Sequence, residues 1–432
     1  MKKILLFGGS LLSAVLTYAQ PNIVPAKAQT EIITIAGATI HVGNGRVITN
    51  GYITFNKGKI TAVGEGNAPS GGKVINAGGK QVYPGFICPM TNLGLVEVEG
   101  GAQGTVDDAE TGEINPNVRS LIAYNTDSKV IPTVRSNGIL LAQPTPSGGI
   151  ISGQSSVVQL DAWNWEDAAY KADMAIHLNW PVSRSGGRSG AIGPVGAAPQ
   201  ESPDEAKFKT LDAINNLFGE AKAYAETTPA VKNLRLEAMK GLFNGNKKLF
   251  IVADGAREII EAVTFSKKLG VDAVIVGGSE SYLVTNVLKQ NNIPVILRET
   301  QTLPSRDEDD VYLTYKLPKI LHDAGVLYGL TGTGFWRQRN LPFEAGQAVG
   351  HGLTREQALS MITINNARIL GIDKTTGTLE VGKDANLFIS TGDALDAISI
   401  NVEKAFIQGR DINLDNLHKQ LYKRYSDKYE KN

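Results

Sequence analysis

Few cysteine or histidine side chains are available for hydrolytic or metal chemistry, and they lie far apart along the chain. The chain has one cysteine, Cys88, and five histidines, which are His41, His177, His322, His351 and His418. One cysteine excludes an intramolecular disulfide and any zinc site built on cysteine pairs. No Ser/His/Asp arrangement, nucleophile elbow or P-loop can be read from the sequence. Any chemistry would therefore come from carboxylates or from an isolated histidine.

Three carboxylates follow apolar runs in the second half of the chain. Asp254 ends "KLFIVAD", Glu280 ends "DAVIVGGSE", and Glu299 lies in "IPVILRET". The carboxyl ends of parallel strands meet at one face of a barrel, so we expect these acids to gather there, where they could act as general acid and base. Arg298, next to Glu299, is more simply interpreted as a partner in a structural ion pair.

His177, in "MAIHLNW", is the histidine that we expect to point into a barrel. It is a candidate catalytic residue, although a lone histidine on an apolar strand is more often a hydrogen-bonded core residue. The other four histidines are interpreted as structural or solvated.

These residues are positioned by a strand–helix alternation that begins near residue 248. Apolar runs such as "DAVIVGGSE" alternate with amphipathic stretches such as "AREIIEAVTFSKKLG", which is typical of parallel βα units. Together with "GILLAQPT", "SSVVQLD", "MAIHLNW" and the run at 83–87, they supply eight strands, enough for a closed barrel of about 250 residues. Short alternating runs before residue 80 and after residue 374 predict additional β-structure. We therefore predict an α/β fold, a (β/α)8 TIM-type barrel flanked by a small β-sandwich formed from the N- and C-terminal segments.

The N-terminus has the pattern of a secretory signal peptide. Lys2 and Lys3 precede a short apolar stretch, and Thr17 and Ala19 supply the small residues of a cleavage site. We therefore predict export to the periplasm or the extracellular space, and no transmembrane segment in the mature chain. The predicted organisation is a signal peptide at 1–19, the N-terminal part of the sandwich at 20–82, the barrel at 83–373, the C-terminal part of the sandwich at 374–413, and a terminal helix or tail at 414–432.

Acidic and basic residues balance. Lys plus Arg and Asp plus Glu each number 43, so the formal net charge is zero. This balance gives no reason to expect nucleic acid or an anionic membrane as a partner.

The two flanking segments carry the phrases that identify a family resemblance. The phrases "GATIHVGNGRVITNGYITFNKGKITAVGEG", "VINAGGKQVYPGFI", "NARILGIDKTTGTLEVGKDANLFI" and "VEKAFIQGRDI" resemble those of the amidohydrolase superfamily, and most of all its imidazolonepropionase-like and cyclic-amide-hydrolase branch. The resemblance covers nearly the whole mature chain. It implies the barrel with its composite β domain, and hydrolysis of non-peptide C–N bonds by water that a zinc or similar divalent ion activates.

The metal-binding positions that the resemblance implies hold other residues in this chain. In the family, "PGFI" is followed by Asp-x-His-x-His, whereas here the Asp position is Cys88 and the two His positions are Met90 and Asn92. Val252 and Thr333 stand where the family places a histidine after strand five and an aspartate after strand eight. Methionine and asparagine are poor ligands for a hydrolytic zinc. We therefore expect that the metal-binding motif is lost and that no metal or other cofactor is used.

Three functions follow from this pattern. The favoured hypothesis is an exported, catalytically degenerate protein that binds a partner or ligand through the barrel mouth. By analogy with the family, that partner is a second copy or an active paralogue. The second is an active hydrolase of cyclic amides or peptides with a rearranged site of Asn92, Asp254, Glu280 and His177. The third is a small-molecule binding protein, for which Asn92, Arg298 and Thr333 are the candidate pocket residues.

Overall fold

The computed structural model describes residues 24–98, 103–182, 202–227, 229–304 and 306–430. The predicted signal peptide at 1–19 lies outside these ranges. Within them, no helix is both long enough and apolar enough to cross a membrane.

The N- and C-terminal segments together form one eight-stranded sheet. Its strands are β1 (Ile33–His41), β2 (Val47–Asn56), β3 (Lys59–Glu65), β4 (Lys73–Asn76), β5 (Gln81–Pro84), β14 (Leu387–Ser390), β15 (Val402–Ile407) and β16 (Arg410–Ile412). β5 joins the two segments, because it pairs in parallel with β1 and antiparallel with β14, where Tyr83 lies opposite Phe388. The predicted composite β domain is therefore confirmed, as a mixed sheet.

Local turn chemistry and burial explain this sheet. Lys57 and Gly58 both have positive φ angles, 48° and 80°, which suits the tight turn between β2 and β3. Alternating side chains of the strands fill a separate apolar core, which includes Ile35, Ile53, Phe55, Leu387 and Phe406.

The central part of the chain forms a second eight-stranded sheet, whose strands neighbour one another in chain order. They are β6 (Phe86–Thr91), β7 (Ile139–Pro144), β8 (Ile151–Gln159), β9 (Ala169–Asn179), β10 (Lys248–Ala253), β11 (Ala273–Gly277), β12 (Val295–Leu297) and β13 (Tyr328–Leu330). This confirms the predicted barrel. The run at 83–87 is divided, since Tyr83 belongs to β5 and the barrel begins at Phe86.

One barrel strand differs from the all-parallel prediction. β8 runs antiparallel to both β7 and β9. The connection at 145–150 is too short for a helical crossover, which needs a dozen or more residues, so β7 and β8 can pair only as a hairpin. This hairpin replaces one βα unit of the predicted (β/α)8 pattern.

All helices but the last lie in the connections between the barrel strands or follow β13, and the last helix follows β16 of the composite sheet. They are α1 (Ser120–Ala123), α2 (Ile131–Arg135), α3 (Trp165–Ala168), α4 (Pro203–Ala225), α5 (Leu234–Phe243), α6 (Ala256–Leu269), α7 (Thr285–Gln290), α8 (Leu313–Ala324), α9 (Leu341–Gly350), α10 (Arg355–Met361), α11 (Ile364–Leu370) and α12 (Leu417–Tyr429). α4 begins with a capping box formed by Ser202 and Glu205.

Side chains close the barrel between its first and last strands. Asn366 of α11 donates from Nδ2 to the carbonyls of Ile87 in β6 (2.8 Å) and Leu330 in β13 (3.1 Å). Gly329 makes this possible, because a Cβ there would overlap the Asn366 side chain. The bore is filled by apolar residues that include Ile87, Leu141, Val157, Phe250, Val276 and Ile296. A ligand site is therefore expected at the mouth of the barrel rather than within it.

Candidate functional site

A cleft of about 280 Å³ opens at the carboxyl ends of β10, β11 and β12. Its charged lining residues are Asp254, Glu280, Arg298, Glu299 and Asp309, and its apolar wall is formed by Leu303, Pro304, Leu313 and Leu317. Barrel enzymes place their active sites at this face. The structure thus brings four residues singled out in the sequence, Asp254, Glu280, Arg298 and Glu299, into one cleft.

Asp254 and Arg298 form a half-exposed ion pair in this cleft. Arg298 Nη1 lies 3.1 Å from Asp254 Oδ2, and the two side chains are 40% and 46% exposed. The sequence suggested Glu299 as the partner of Arg298, whereas the structure pairs Arg298 with Asp254. Gly277 makes room for the carboxylate, since a Cβ there would overlap Asp254 Oδ1. An ion pair this exposed contributes little to stability, so both groups are available to a ligand.

Glu280 has a positioning role. Its Oε2 accepts a hydrogen bond from the Ala256 backbone N–H (2.9 Å) at the start of α6, and its Oε1 lies 2.5 Å from Arg306 Nη2. A carboxylate at this place also interacts favourably with the helix dipole. Glu280 is therefore engaged by α6 and by the loop after β12, and it is not a free general acid or base.

Two further carboxylates hold the loops at the mouth. Glu299 Oε1 accepts from the Thr333 backbone N–H (2.6 Å) and from the Thr333 hydroxyl. Glu344 is buried and accepts from the Thr300 N–H (2.9 Å), the Thr300 hydroxyl (2.7 Å) and the Gln301 N–H (2.8 Å). Sequence reasoning missed Glu344, because its partners lie in a loop far away along the chain. It fixes the loop that carries the apolar wall of the cleft.

His177 lies in the barrel core, away from the cleft. Ser155 Oγ is 2.6 Å from His177 Nε2, and Gln143 Nε2 donates to the same Oγ at 2.8 Å. The Ser155 hydroxyl thus links His177 Nε2 to the Gln143 amide, and His177 Nδ1 has no partner among the described residues. Burial lowers the pKa of His177 to about 3, so the ring is neutral. Both side chains are buried from solvent, which prevents this pair from reaching a substrate.

The other histidines also lie outside the cleft. They contact Glu356 (His41), Gln357 (His322), Tyr315 (His351) and Trp336 (His418).

The residues at the implied metal positions do not form a ligand set. Met90 is half-buried with a φ angle of 61°, and its carbonyl accepts from Thr331 Oγ1 at 2.7 Å. Cys88 is buried, which raises the pKa of its thiol to about 12, so the thiolate that a metal needs is disfavoured. Asn92 Oδ1 is buried and has no partner in the described part of the chain. Val252 carries no donor, and Thr333 is held by Glu299.

Comparisons with known proteins identify the class of this fold. Residues 321–412 match the amidohydrolase family model. Over 119 residues the chain is 34% identical to "Amidohydrolase tasK" of Hapsidospora irregularis, a match that covers 25% of this chain and only 12% of that protein. An amidohydrolase from Thermotoga maritima MSB8 has a similar structure, with a TM-score of 0.76, 23% identity, and coverage of 88% of this chain and 99% of that one.

Other solved structures share the fold at lower similarity. A prolidase complexed with N-methylphosphonate-L-proline gives a TM-score of 0.56 at 14% identity, over 88% of this chain and 99% of that one. Molinate hydrolase gives 0.55 at 15% identity, over 89% and 95%. The barrel with its composite sheet is therefore the fold of the amidohydrolases. The resemblance of this chain to the amidohydrolase superfamily is confirmed, while the narrower imidazolonepropionase-like branch stays a prediction.

The expectation that no cofactor is used is wrong for proteins of this kind. The matched family and the structural neighbours are typically metal-dependent, so a divalent ion has to be considered for this chain. The donors at hand do not fit such an ion, because no group of three or more His, Cys, Asp or Glu side chains lies close enough to hold one in the described residues.

Proposed function

We propose that this protein is an exported amidohydrolase-fold protein that binds a small zwitterionic ligand at the barrel mouth and does not hydrolyse it. The observation that carries the proposal is the half-exposed Asp254–Arg298 pair beside the apolar wall of the cleft. Asp254 suits a ligand ammonium group, and Arg298 suits a carboxylate through its planar fork. Leu303 and Leu313 offer apolar surface to a ligand side chain.

These features together favour an amino acid or dipeptide with an apolar side chain. A cleft of about 280 Å³ is at the small end for ligand sites, which agrees with such a ligand. Two proteins of the same fold were crystallised with related compounds, the prolidase with N-methylphosphonate-L-proline and a Xaa-Pro dipeptidase with methionine. Their likeness to this chain is one of fold, so they support only the choice of ligands to test.

Binding without hydrolysis is favoured over an active, rearranged site. The rearranged site would use Asp254, Glu280 and His177 as acid–base groups. Glu280 is hydrogen-bonded to the Ala256 N–H and paired with Arg306, and His177 is buried away from the cleft. Asp254 is then left without a second acid–base group from the proposed set. A pair of catalytic carboxylates needs both members free to exchange protons with the substrate.

The test is calorimetric titration of the purified mature chain with L-leucine and L-leucyl-L-proline. N-acetyl-leucine lacks the ammonium group and leucinamide lacks the carboxylate, so we expect both to bind more weakly than leucine. Arg298→Met and Asp254→Asn should each weaken leucine binding about 10- to 100-fold, as expected for the loss of a charged hydrogen bond of about 1.5–3 kcal/mol. Arg257→Met and Asp323→Asn, on exposed helix surfaces, are the matched controls and should leave binding unchanged.

Hydrolysis is followed in the same samples by amine release from leucyl-proline and from cyclic amides, with zinc and with manganese added. Turnover that disappears in Asp254→Asn would establish the active hydrolase instead. Absence of leucine binding would reject the binding proposal.

Export and pairing are tested separately. N-terminal sequencing of the protein from the periplasm or medium of its host should give a chain that starts at Gln20. Light scattering of the pure chain, and co-purification from the host, would show whether it pairs with itself or with a paralogue.

A further inference from the structure

The last helix, α12 (Leu417–Tyr429), carries an aromatic face that the described residues leave exposed. Tyr422, Tyr425 and Tyr429 are spaced three and four residues apart, so they lie on one face of the helix, which we call the tyrosine face. Their exposed fractions are 75%, 47% and 66%, and α12 has no buried residue. An exposed row of three aromatic rings indicates a surface that contacts something outside the fold.

The anchors of α12 lie near its start. Asn416 Nδ2 donates to Ser136 Oγ at 3.1 Å. The His418 ring stacks on Trp336, with the ring centroids 5.8 Å apart. These contacts hold the first turn of α12 against the body of the protein, and Tyr422 begins the next turn. The position of the helix therefore does not depend on burying the tyrosine face.

Charges are distributed around α12 in register with the tyrosine face. The Arg424 guanidinium carbon lies 5.4 Å from the ring centroid of Tyr425. The Lys428 ammonium lies 5.0 Å from the ring centroid of Tyr429. Asp427, the only acid within α12, is two residues from both Tyr425 and Tyr429, so it points to the opposite side of the helix. The zero net charge of the whole chain thus includes a basic edge along an exposed aromatic face.

We propose that α12 docks this protein on an anionic lipid bilayer, with the tyrosine face in the headgroup region and Arg424 and Lys428 at the lipid phosphates. Tyrosine is enriched where a membrane meets water, because its ring is apolar and its hydroxyl is polar. Lysine and arginine beside such a face are attracted to anionic headgroups. Together with its C-cap Glu430, α12 has four basic and two acidic residues, so its net charge has the sign that this attraction needs.

The length of α12 and the arrangement of its charges favour a lipid surface over the other occupants. With 13 residues, α12 is too short to span a hydrocarbon core of about 30 Å, so it lies along the bilayer surface. If two α12 helices packed antiparallel through their tyrosine faces, Arg424 and Lys428 of one copy would face the same edge of the other copy. Such opposition of like charges is unfavourable, whereas an anionic bilayer neutralises these charges.

Co-sedimentation of the full mature chain with phospholipid vesicles tests this docking. Vesicles of equal parts phosphatidylglycerol and phosphatidylcholine should bind the protein, and vesicles of phosphatidylcholine alone should bind it at least about tenfold more weakly. Sodium chloride at about 1 M, which shortens the screening length to about 3 Å, should release most of the bound protein. No sedimentation with the anionic vesicles, or equal binding to both kinds of vesicle, would overturn the proposal.

Charge variants assign the binding to α12. Arg424→Gln/Lys428→Gln removes two cations from an exposed helix and should weaken binding to the anionic vesicles about 30-fold. Lys267→Gln/Lys268→Gln removes the same charge from the exposed end of α6, so it is the matched control and should bind as the original chain does. Equal vesicle binding by Arg424→Gln/Lys428→Gln and the original chain would refute the assignment.

Tyrosine variants test the aromatic contribution. Tyr422→Ser and Tyr429→Ser should each weaken binding to the anionic vesicles about fivefold. Tyr312→Ser changes a tyrosine that is 53% exposed elsewhere on the surface and should leave binding unchanged. In light scattering without vesicles, a dimer that Tyr422→Ser dissociates would assign the tyrosine face to a second copy and contradict docking on lipid. Failure of leucine to bind at the barrel mouth has no bearing on these results.

Discussion

Replacing His177 with glutamine should make the protein more resistant to acid. In the fold, burial lowers the pKa of His177 to about 3, compared with the ordinary value of 6.5 that an unfolded chain has. Between these two values the unfolded state binds a proton that the folded state does not bind, so unfolding becomes more favourable as the pH falls. The contribution that the neutral, buried His177 makes to the unfolding free energy is fully present above about pH 6.5. It is lost progressively as the pH falls towards about 3.

The size of this effect follows from the linkage relation. Each pH unit between the two pKa values costs about 1.4 kcal/mol of folding free energy, so at pH 4.5 the loss is about 2.7 kcal/mol. That is a large part of a typical total of about 5–15 kcal/mol. Glutamine is suitable because its side-chain amide can either donate to or accept from the Ser155 hydroxyl, which contacts His177 Nε2, and because it does not titrate.

The measurement is urea unfolding, followed by tryptophan fluorescence, between pH 4.5 and 7.5. The difference in unfolding free energy between His177→Gln and the original chain should shift by about 2.7 kcal/mol in favour of the variant across this range. His322→Gln changes an exposed histidine and should show no such shift. The reasoning would be refuted if the unfolding free energies of the original chain and of His177→Gln changed by the same amount between about pH 4.5 and 7.5. That result would mean that His177 takes up its proton within the fold.

Two substitutions and one labelling experiment test the frame of the barrel. Asn366→Ala leaves two buried strand carbonyls without donors and should lower the unfolding free energy by about 2–4 kcal/mol, whereas Asn215→Ala on exposed α4 should change it by less than about 0.5 kcal/mol. Glu344→Gln weakens the acceptor for the loop after β12, so the hydrogen-exchange rates of the Thr300 and Gln301 amides should rise about tenfold. Unchanged exchange rates would contradict the anchoring role of Glu344. Cys88 should react with a thiol reagent about a thousandfold more slowly in the folded chain than in urea, because burial raises the pKa of its thiol to about 12. A fast reaction of the folded chain would show that the Cys88 side chain in β6 is accessible to solvent.

The sequence predicted most of the fold because most of it is encoded locally. Short alternating runs identified the strands of the composite sheet, and continuous apolar runs identified those of the barrel. The direction of β8 was not predictable from periodicity, since parallel and antiparallel strands buried on both faces have the same pattern. The short connection at 145–150 was the available signal, because it excludes a crossover.

Because the direction of β8 was not predicted, the contact between Ser155 and His177 was not predicted either. These residues lie 22 positions apart and meet because β8 and β9 are antiparallel neighbours. Asp254, Glu280 and Arg298 were easier to group, since each follows a strand and strand ends share one face. Their individual partners were not predictable, because they depend on side-chain directions and on loops such as the one that carries Arg306.

The arrangement at the barrel mouth separates groups that hold the frame from groups that can meet a ligand. Glu280 holds the start of α6, Glu299 holds the strand end at Thr333, and Glu344 holds the loop after β12, each through backbone N–H donors. Backbone donors cannot move away without local unfolding, so these three carboxylates are committed to structure. The Asp254–Arg298 pair is bound only by a half-exposed side-chain contact, which water or a charged ligand can replace at little cost. A rigid frame around an exchangeable ion pair is what a binding site for a small zwitterion requires.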